Sequence, residues 1–267
     1  MVLRFLFATD LHGSTFKMRE LVKKAIEEDT DMILLGGDLF RSGPLNTVES
    51  QIELLKNEVQ CIFEEFPGEV LTIFGNNDWH LSMKDLSTHA PKLRSIEGEH
   101  YDAGEGLEIA GFSYIPASPF PIKDWELYER YALPLPGSIS KGLCSRSGEV
   151  KECLIDRGTT TMDRLLELGD VEKKLLLSHT PPRDTSCDIG YNGEHLGSTD
   201  LREYTLEREP LAVLCGHIHE SPERSGKVVD RIGSTVVANP GSKKDRLTYL
   251  VGKWSSELEL VDGNPHR

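Results

Sequence analysis

Seven side chains able to bind a divalent cation recur along the chain: Asp10, His12, Asp38, Asn76, His179, His217 and His219. All sit just past short apolar runs of strand character. Val2 to Ala8 lead to Asp10-Leu11-His12, Met32 to Leu35 lead to Gly36-Gly37-Asp38, and Val70 to Phe74 lead to Gly75-Asn76-Asn77-Asp78. Further on, Lys174 to Leu177 lead to Ser178-His179, and Leu211 to Cys215 lead to Gly216-His217-Ile218-His219. Carboxylate and imidazole donors suit Mn, Fe, Zn or Ni. In this mixture they argue for a hydrolytic site built on two cations, where a shared water loses a proton near neutral pH.

The placement of the motifs strengthens them. An open α/β sheet gathers its ligands in the crevice outside the carboxyl ends of its strands, so residues far apart in sequence can meet there. A lone His-x-His is more often solvent-facing or packed, and Gly-Gly-Asp is more often a turn. Five such motifs, each following a buried strand, point to convergence.

The elements that must position these residues can be read in order. Ser14 caps a helix with Met18, Leu21, Val22, Ala25 and Ile26 at helical spacing. Thr47 starts a second helix, with Ile52, Leu55, Val59, Ile62 and Phe63 on its apolar face, and Pro67-Gly68 stops it. This βαβαβ order implies parallel strands with right-handed crossovers. Between about Leu93 and Phe112, short strands with glycine turns predict antiparallel pairs. Residues 114–156 form an irregular insert rich in Pro, Gly and Ser, with aromatics Trp125, Tyr128 and Tyr131. Such a segment is either a lid or a surface excursion packed down by its aromatics. Thr159 to Leu168 and Thr199 to Glu207 read as helices around a second insert, Pro181 to Ser198. The tail reads as strands.

Size and composition set the outer limits. With 267 residues, 38% of them hydrophobic and 28% charged, the chain is expected to form one α/β domain over 1–267, since the motifs span most of its length. A net charge of −14 disfavours non-specific attraction to nucleic acid. No apolar stretch reaches a membrane span. Arg4 and the following Phe-Leu-Phe-Ala-Thr-Asp lack a signal-peptide core and read as a first strand, so a cytoplasmic location is expected. Cys61, Cys144, Cys153, Cys187 and Cys215 are odd in number and show no Cys-x-x-Cys spacing. They are expected to be reduced.

The motifs together resemble those of the calcineurin-like metallophosphoesterases: Asp-x-His, Gly-Asp, Gly-Asn-His followed by an acid, a later His, and Gly-His-x-His. Further likeness to small prokaryotic members lies in His179-Thr-Pro-Pro, Gly193-Glu-His195-Leu-Gly-Ser198, Cys215-Gly-His-Ile-His-Glu-Ser221 and Asn239-Pro-Gly-Ser242. The resemblance implies a four-layer α/β/β/α sandwich and a metal-dependent phosphoesterase, with a phosphodiesterase preferred. It implies that Asp10, His12, Asp38 and His219 bind one ion while Asp38, Asn76, His179 and His217 bind the other. Two divalent ions are expected, manganese first, with Fe, Zn or Ni as alternatives. The expected partner is a small phosphoester, with the oligomeric state left open.

One position departs from the pattern. Family members carry a phosphate-contacting, proton-donating His where this chain has Asn77, with the next carboxylate, here Asp78, orienting it. Asn can donate a hydrogen bond but cannot deliver a proton in that way. His195 is the first candidate for a replacement acid, ahead of His80, though each is also a plain surface or packed histidine by default. Arg183 could clamp a phosphate or be merely solvated, and Asn239 could support the site or only form a turn. The competing readings are a protein-binding scaffold of the same fold with little activity, favoured by Asn77, and a nuclease, which lacks a basic stretch to follow a backbone.

Overall fold

The computed structural model describes residues 2–263, so residue 1 and residues 264–267 of the expected 1–267 unit lie outside the described residues. The first half builds the parallel core of one sheet. Strands β1 (Leu3–Ala8), β2 (Met32–Gly36), β3 (Glu69–Ile73) and β4 (Leu93–Ser95) lie side by side and parallel. Helix α1 (Thr15–Glu27) crosses from β1 to β2, capped by the Ser14 hydroxyl, which accepts from Lys17 N. Helices α2 (Val48–Leu54) and α3 (Gln60–Glu64), continuous through a π turn at Leu55–Val59, cross from β2 to β3. There Thr47 and Ser50 form a reciprocal cap. Short helices α4 (His80–Lys84) and α5 (Leu86–His89) lead to β4.

A second sheet follows from β5 (His100–Gly104) and β6 (Leu107–Phe112). After β7 (Ile115–Pro116), β8 (Glu126–Leu127), and the hairpin β9 (Lys141–Cys144) and β10 (Lys151–Leu154), helix α6 (Thr161–Glu167) leads into β11 (Leu175–Ser178). Helix α7 (Thr199–Arg208), β12 (Ala212–Leu214), helix α8 (Ser221–Ser225), β13 (Val229–Ile232) and β14 (Thr235–Ala238) complete it, in the order β13-β14-β12-β11-β6-β5. The chain then returns through β15 (Leu250–Trp254) and β16 (Leu258–Asp262), which pair antiparallel on the free edge of β1.

Alternation along the strands explains the layering, because successive side chains point to opposite faces. Phe5 and Phe7 of β1 join Leu34, Leu71, Ile73, Ile109, Leu175, Leu177 and Leu214 in a core between the sheets. Their neighbours Leu6, Ala8, Ile33 and Leu35 cluster with Met18 and Leu21 of α1 and with Leu55 and Ile62. On the other sheet Ala110, Leu176 and Val213 share a cluster with Met162, Leu165, Leu201 and Tyr204 of α6 and α7. The result is the expected four-layer α/β/β/α sandwich. No helix among the described residues is long and apolar enough to cross a membrane.

The structure corrects several expectations. β4 pairs parallel with β3, Leu93 opposite Val70, because α4 and α5 carry the chain back before it begins; only β5 and β6 form the antiparallel pair. Ile26 is half exposed, beyond the edge of the buried stripe on α1. The 114–156 insert is partly regular: β7 pairs with β8, and β9 with β10. Trp125 packs it down, 1% exposed and stacked on Phe74 with ring centroids 5.5 Å apart. The cysteines are not all reduced: Cys144 and Cys153 form a disulfide. The odd count and the absence of a short motif concealed a pair that hairpin β9–β10 brings to a Cα separation of 5.9 Å, within the usual disulfide range.

Phe7 is fully buried between the sheets. Phe7→Ala is expected to lower stability by about 3 to 5 kcal/mol, read from the denaturant midpoint; a shift below about 1 kcal/mol would contradict this placement of the core.

Candidate metal centre

The strand ends bring the seven residues together through an unusual backbone. Asp10, His12, Asp38 and His217 have φ of 55°, 48°, 50° and 63°. Non-glycine residues seldom occupy this left-handed region, and such strain concentrates where the surroundings enforce it. The enforcing contacts are visible. Asp10 N donates to Gly37 O at 3.0 Å, His12 N to Asp38 O at 3.0 Å and Gly13 N to Leu39 O at 2.8 Å, zipping the β1 loop to the β2 loop. Gly216 N donates to His179 O at 3.0 Å, joining the loops after β11 and β12.

Two donor groups result. His219 Nε2 lies 3.0 Å from Asp10 Oδ1 and 3.1 Å from His12 Nε2. His179 Nε2 lies 3.2 Å from Asn76 Oδ1, and its ring meets that of His217 edge-on with centroids 5.1 Å apart. Asp38 stands between the groups: Oδ2 is 3.9 Å from His12 Nε2 and Oδ1 is 3.7 Å from His179 Nε2. The donor atoms of Asp10, His12 and His219 lie within 4.8 Å of one another, as do those of Asp10, Asp38 and His179. Such spacings suit ligands held about 2.1 Å from a divalent ion. His179 Nδ1 lies 2.8 Å from Gly36 O; donating there, it leaves the Nε2 lone pair free for a metal. The residues therefore fit divalent metal.

The other candidates fall in different places. Asn77 lines the cavity, and its amide nitrogen donates to Asp38 Oδ2 at 2.6 Å while its backbone N donates to Asp38 Oδ1 at 2.8 Å. Asp78 is turned inward and fully buried, accepting from Gly75 N at 2.8 Å and Phe40 N at 3.1 Å. It ties the β3 loop to the β2 loop and orients no acid at the site. His195 pairs with buried Asp188 at 2.7 Å and is not among the residues lining the cavity. His80 packs against Trp125 and also lies outside it, as does Arg183. Asn239 is fully buried and donates to Gly216 O at 3.3 Å and Ile218 O at 3.1 Å, so it supports the loop carrying His217 and His219.

Sequence reasoning missed the walls of the site. A cavity of about 960 Å³ opens over the ligands, with Phe120, Ile122 and Leu143 of the insert on it and Lys17 of α1 at its edge. Lys17 is only 5% exposed, although a lysine is ordinarily solvated. Its position in the first turn of α1, shortly after Asp10, was the available signal.

Electrostatics separates the imidazoles. Burial drives the pKa of His217 down to about 3, with His179 adding repulsion. For His219, burial pulls down too, but the hydrogen-bonded Asp10 carboxylate overrides it and lifts the pKa to about 9. Burial would raise the Asp10 pKa, and the surrounding histidines, His219 foremost, hold it far below the ordinary carboxylate range instead. Without metal, His219 therefore carries a proton below about pH 9, which an ion bound there would have to displace because only the neutral ring is a ligand. Manganese affinity is expected to rise with pH between about 6.5 and 8.5, about tenfold per unit for each proton released. Calorimetric titration in buffers of different ionisation heat reads that proton; a pH-independent affinity would contradict the assignment.

Comparisons with known proteins bear on the fold and the family. A search among curated proteins finds no match. Solved structures do match: TT1561 of Thermus thermophilus is 16% identical, with 98% of this chain and 99% of that chain covered and a TM-score of 0.59. A dimetal phosphatase from Danio rerio is 11% identical over 97% of this chain and 98% of that one, with a TM-score of 0.58. At such identities the likeness establishes the fold alone. A family model described as calcineurin-like phosphoesterase matches residues 3–221, a span that takes in every one of the seven donor residues, and the chain belongs to that family.

Proposed function

We propose that this chain is a single-domain phosphodiesterase working with two divalent ions, manganese first, on a small phosphoester. The observation that carries the reading is Asp38, whose two carboxylate oxygens face different histidines. Such a carboxylate suits a bridge between ions about 3.5 to 4 Å apart. Asp10, His12 and His219 would hold one ion with Asp38; Asn76, His179 and His217 would hold the other. When bound, the ions supply Lewis acidity and a hydroxide at neutral pH.

The chain's own residues set the limits of the reaction. Asn77 donates to both oxygens of Asp38 and so fixes the carboxylate that would bridge the ions. It carries no transferable proton, and His195 is occupied with Asp188 away from the cavity. The leaving group then departs without a proton from the protein. Acidic leaving groups are favoured, and phosphodiesters with aryl groups precede alkyl monoesters. The net charge of −14 disfavours a polynucleotide, so a small ester remains the proposed substrate.

Chelated protein assayed on bis(p-nitrophenyl) phosphate should be inactive and regain activity with manganese. Asp38→Ala should lose at least about a thousandfold in kcat, the scale of removing a principal electrostatic group, and retain fewer than two manganese ions per chain by elemental analysis. No turnover by wild type with both ions present would favour the scaffold. Across substituted aryl esters the rate should fall as leaving-group pKa rises; a flat series with chemistry rate-limiting would overturn the role given to Asn77.

A further inference from the structure

The cavity has two unlike walls, attached to different donor groups. On one, Phe120 meets the His217 ring edge-on with centroids 6.0 Å apart, and Ile122 and Leu143 continue the apolar surface. On the other is Lys17. Its Nζ donates to Ser242 Oγ at 3.2 Å, and Ser242 in turn donates from Oγ to Asp10 O at 2.8 Å and from N to His219 O at 3.3 Å. Ser14 and the exposed Lys244 border the same wall.

Lys17 is a costly residue to bury. Only 5% of it is exposed, its hydrogen bond goes to a neutral hydroxyl, and no carboxylate oxygen among the described residues lies within 4.0 Å of its ammonium. Burial pushes its pKa down, with Asp10 and Asp245 pulling the other way. A buried ammonium without a close counter-ion is retained at a cost. Lys17 lines the cavity beside the donors, and its ammonium has N–H groups beyond the one given to Ser242, which an anion in the cavity would satisfy.

A second observation converges on the same wall. Asn77 leaves the site without a proton donor for the departing oxygen. A leaving group that is already stable as an anion, with a cation waiting for it, removes that need. A terminal phosphoryl group that carries its own proton meets both conditions, because it departs as hydrogen phosphate rather than as the strongly basic trianion.

We propose that the substrate is an organic diphosphate whose leaving phosphoryl group sits on Lys17 and Ser242, with its organic group on the Phe120 wall. This inference rests on the phosphodiesterase reading and narrows its substrate to a phosphoanhydride. Water oxygen forms a new bond to the phosphorus that carries the organic group. The bond from that phosphorus to the anhydride oxygen breaks, and its electron pair stays on the oxygen, now a terminal oxygen of the departing hydrogen phosphate, which faces Lys17 and keeps the proton that the terminal phosphoryl group brought with it. Water's surplus proton goes to solvent. The products are an organic monophosphate and inorganic phosphate, and no redox partner or protein proton is consumed.

The test compares Lys17→Met and Lys17→Arg with wild type, all loaded with manganese. Adenosine 5′-diphosphate, followed by phosphorus NMR, probes the anhydride, and bis(p-nitrophenyl) phosphate probes a diester without a second anion. Lys17→Met should lower kcat/KM for the diphosphate by about tenfold or more beyond its effect on the diester, the worth of one charge-assisted hydrogen bond. Lys17→Arg should recover most of the difference. Calorimetry adds a readout independent of turnover: methylenebisphosphonate should bind more tightly than methylphosphonate, and Lys17→Met should erase about tenfold of that gain. Equal losses on both probes, or an undiminished bisphosphonate preference in Lys17→Met, would overturn the proposal. So would turnover of the diester with none of the diphosphate. If neither is hydrolysed, the phosphodiesterase reading itself fails, while the calorimetric comparison still decides whether Lys17 is an anion subsite.

Discussion

Two carboxylates withdrawn from water within reach of four imidazoles form the constraint on which the rest of the structure depends. Asp10 and Asp38 are 0% and 1% exposed, and a buried charge is tolerable only when paired or bound to a cation. Asp10 draws a proton onto His219 in compensation, whereas Asp38 relies on the backbone and side-chain amide of Asn77. Divalent ions would answer both needs at once. A site of this kind stays assembled because the fold supplies rigidity from several directions.

That rigidity comes from strand ends. β1, β2 and β3 supply Asp10, His12, Asp38 and Asn76 from one sheet, while β11 and β12 supply His179, His217 and His219 from the other. The interface between sheets, filled by Phe5, Phe7, Leu34 and Leu177, sets the distance between the two contributions. Buried polar side chains then lock the loops, with Asp78 holding those after β2 and β3 and Asn239 holding the one after β12. Glycine is required at Gly37, where φ is +93° and a Cβ would stand 2.6 Å from His179 Nδ1. The left-handed ligands next to such glycines cost about 1 to 3 kcal/mol each, and the hydrogen bonds across the loops offset that cost.

Much of this is legible in the sequence. Donor types recurring after apolar strands identified the seven residues that converge, and Ser14 and Thr47 marked real helix caps because capping is a local interaction. What escaped depends on tertiary placement. The parallel pairing of β4, the Cys144–Cys153 bond and the burial of Lys17 follow from how distant segments meet. Likewise Asp78 and His195 carry suitable chemistry in sequence, but their hydrogen bonds commit one to the loop backbone and the other to Asp188. A motif states which groups are present; the direction in which each points is decided by packing.

The central claim is that Asp38 bridges a pair of ions held by donors from both sheets. Anomalous diffraction at the manganese edge from a manganese-soaked crystal tests it most directly. Two peaks about 3.5 to 4 Å apart, one beside Asp10, His12 and His219, the other beside Asn76, His179 and His217, with an Asp38 oxygen on each, are the predicted result. A single peak, or two peaks without Asp38 between them, would contradict the account.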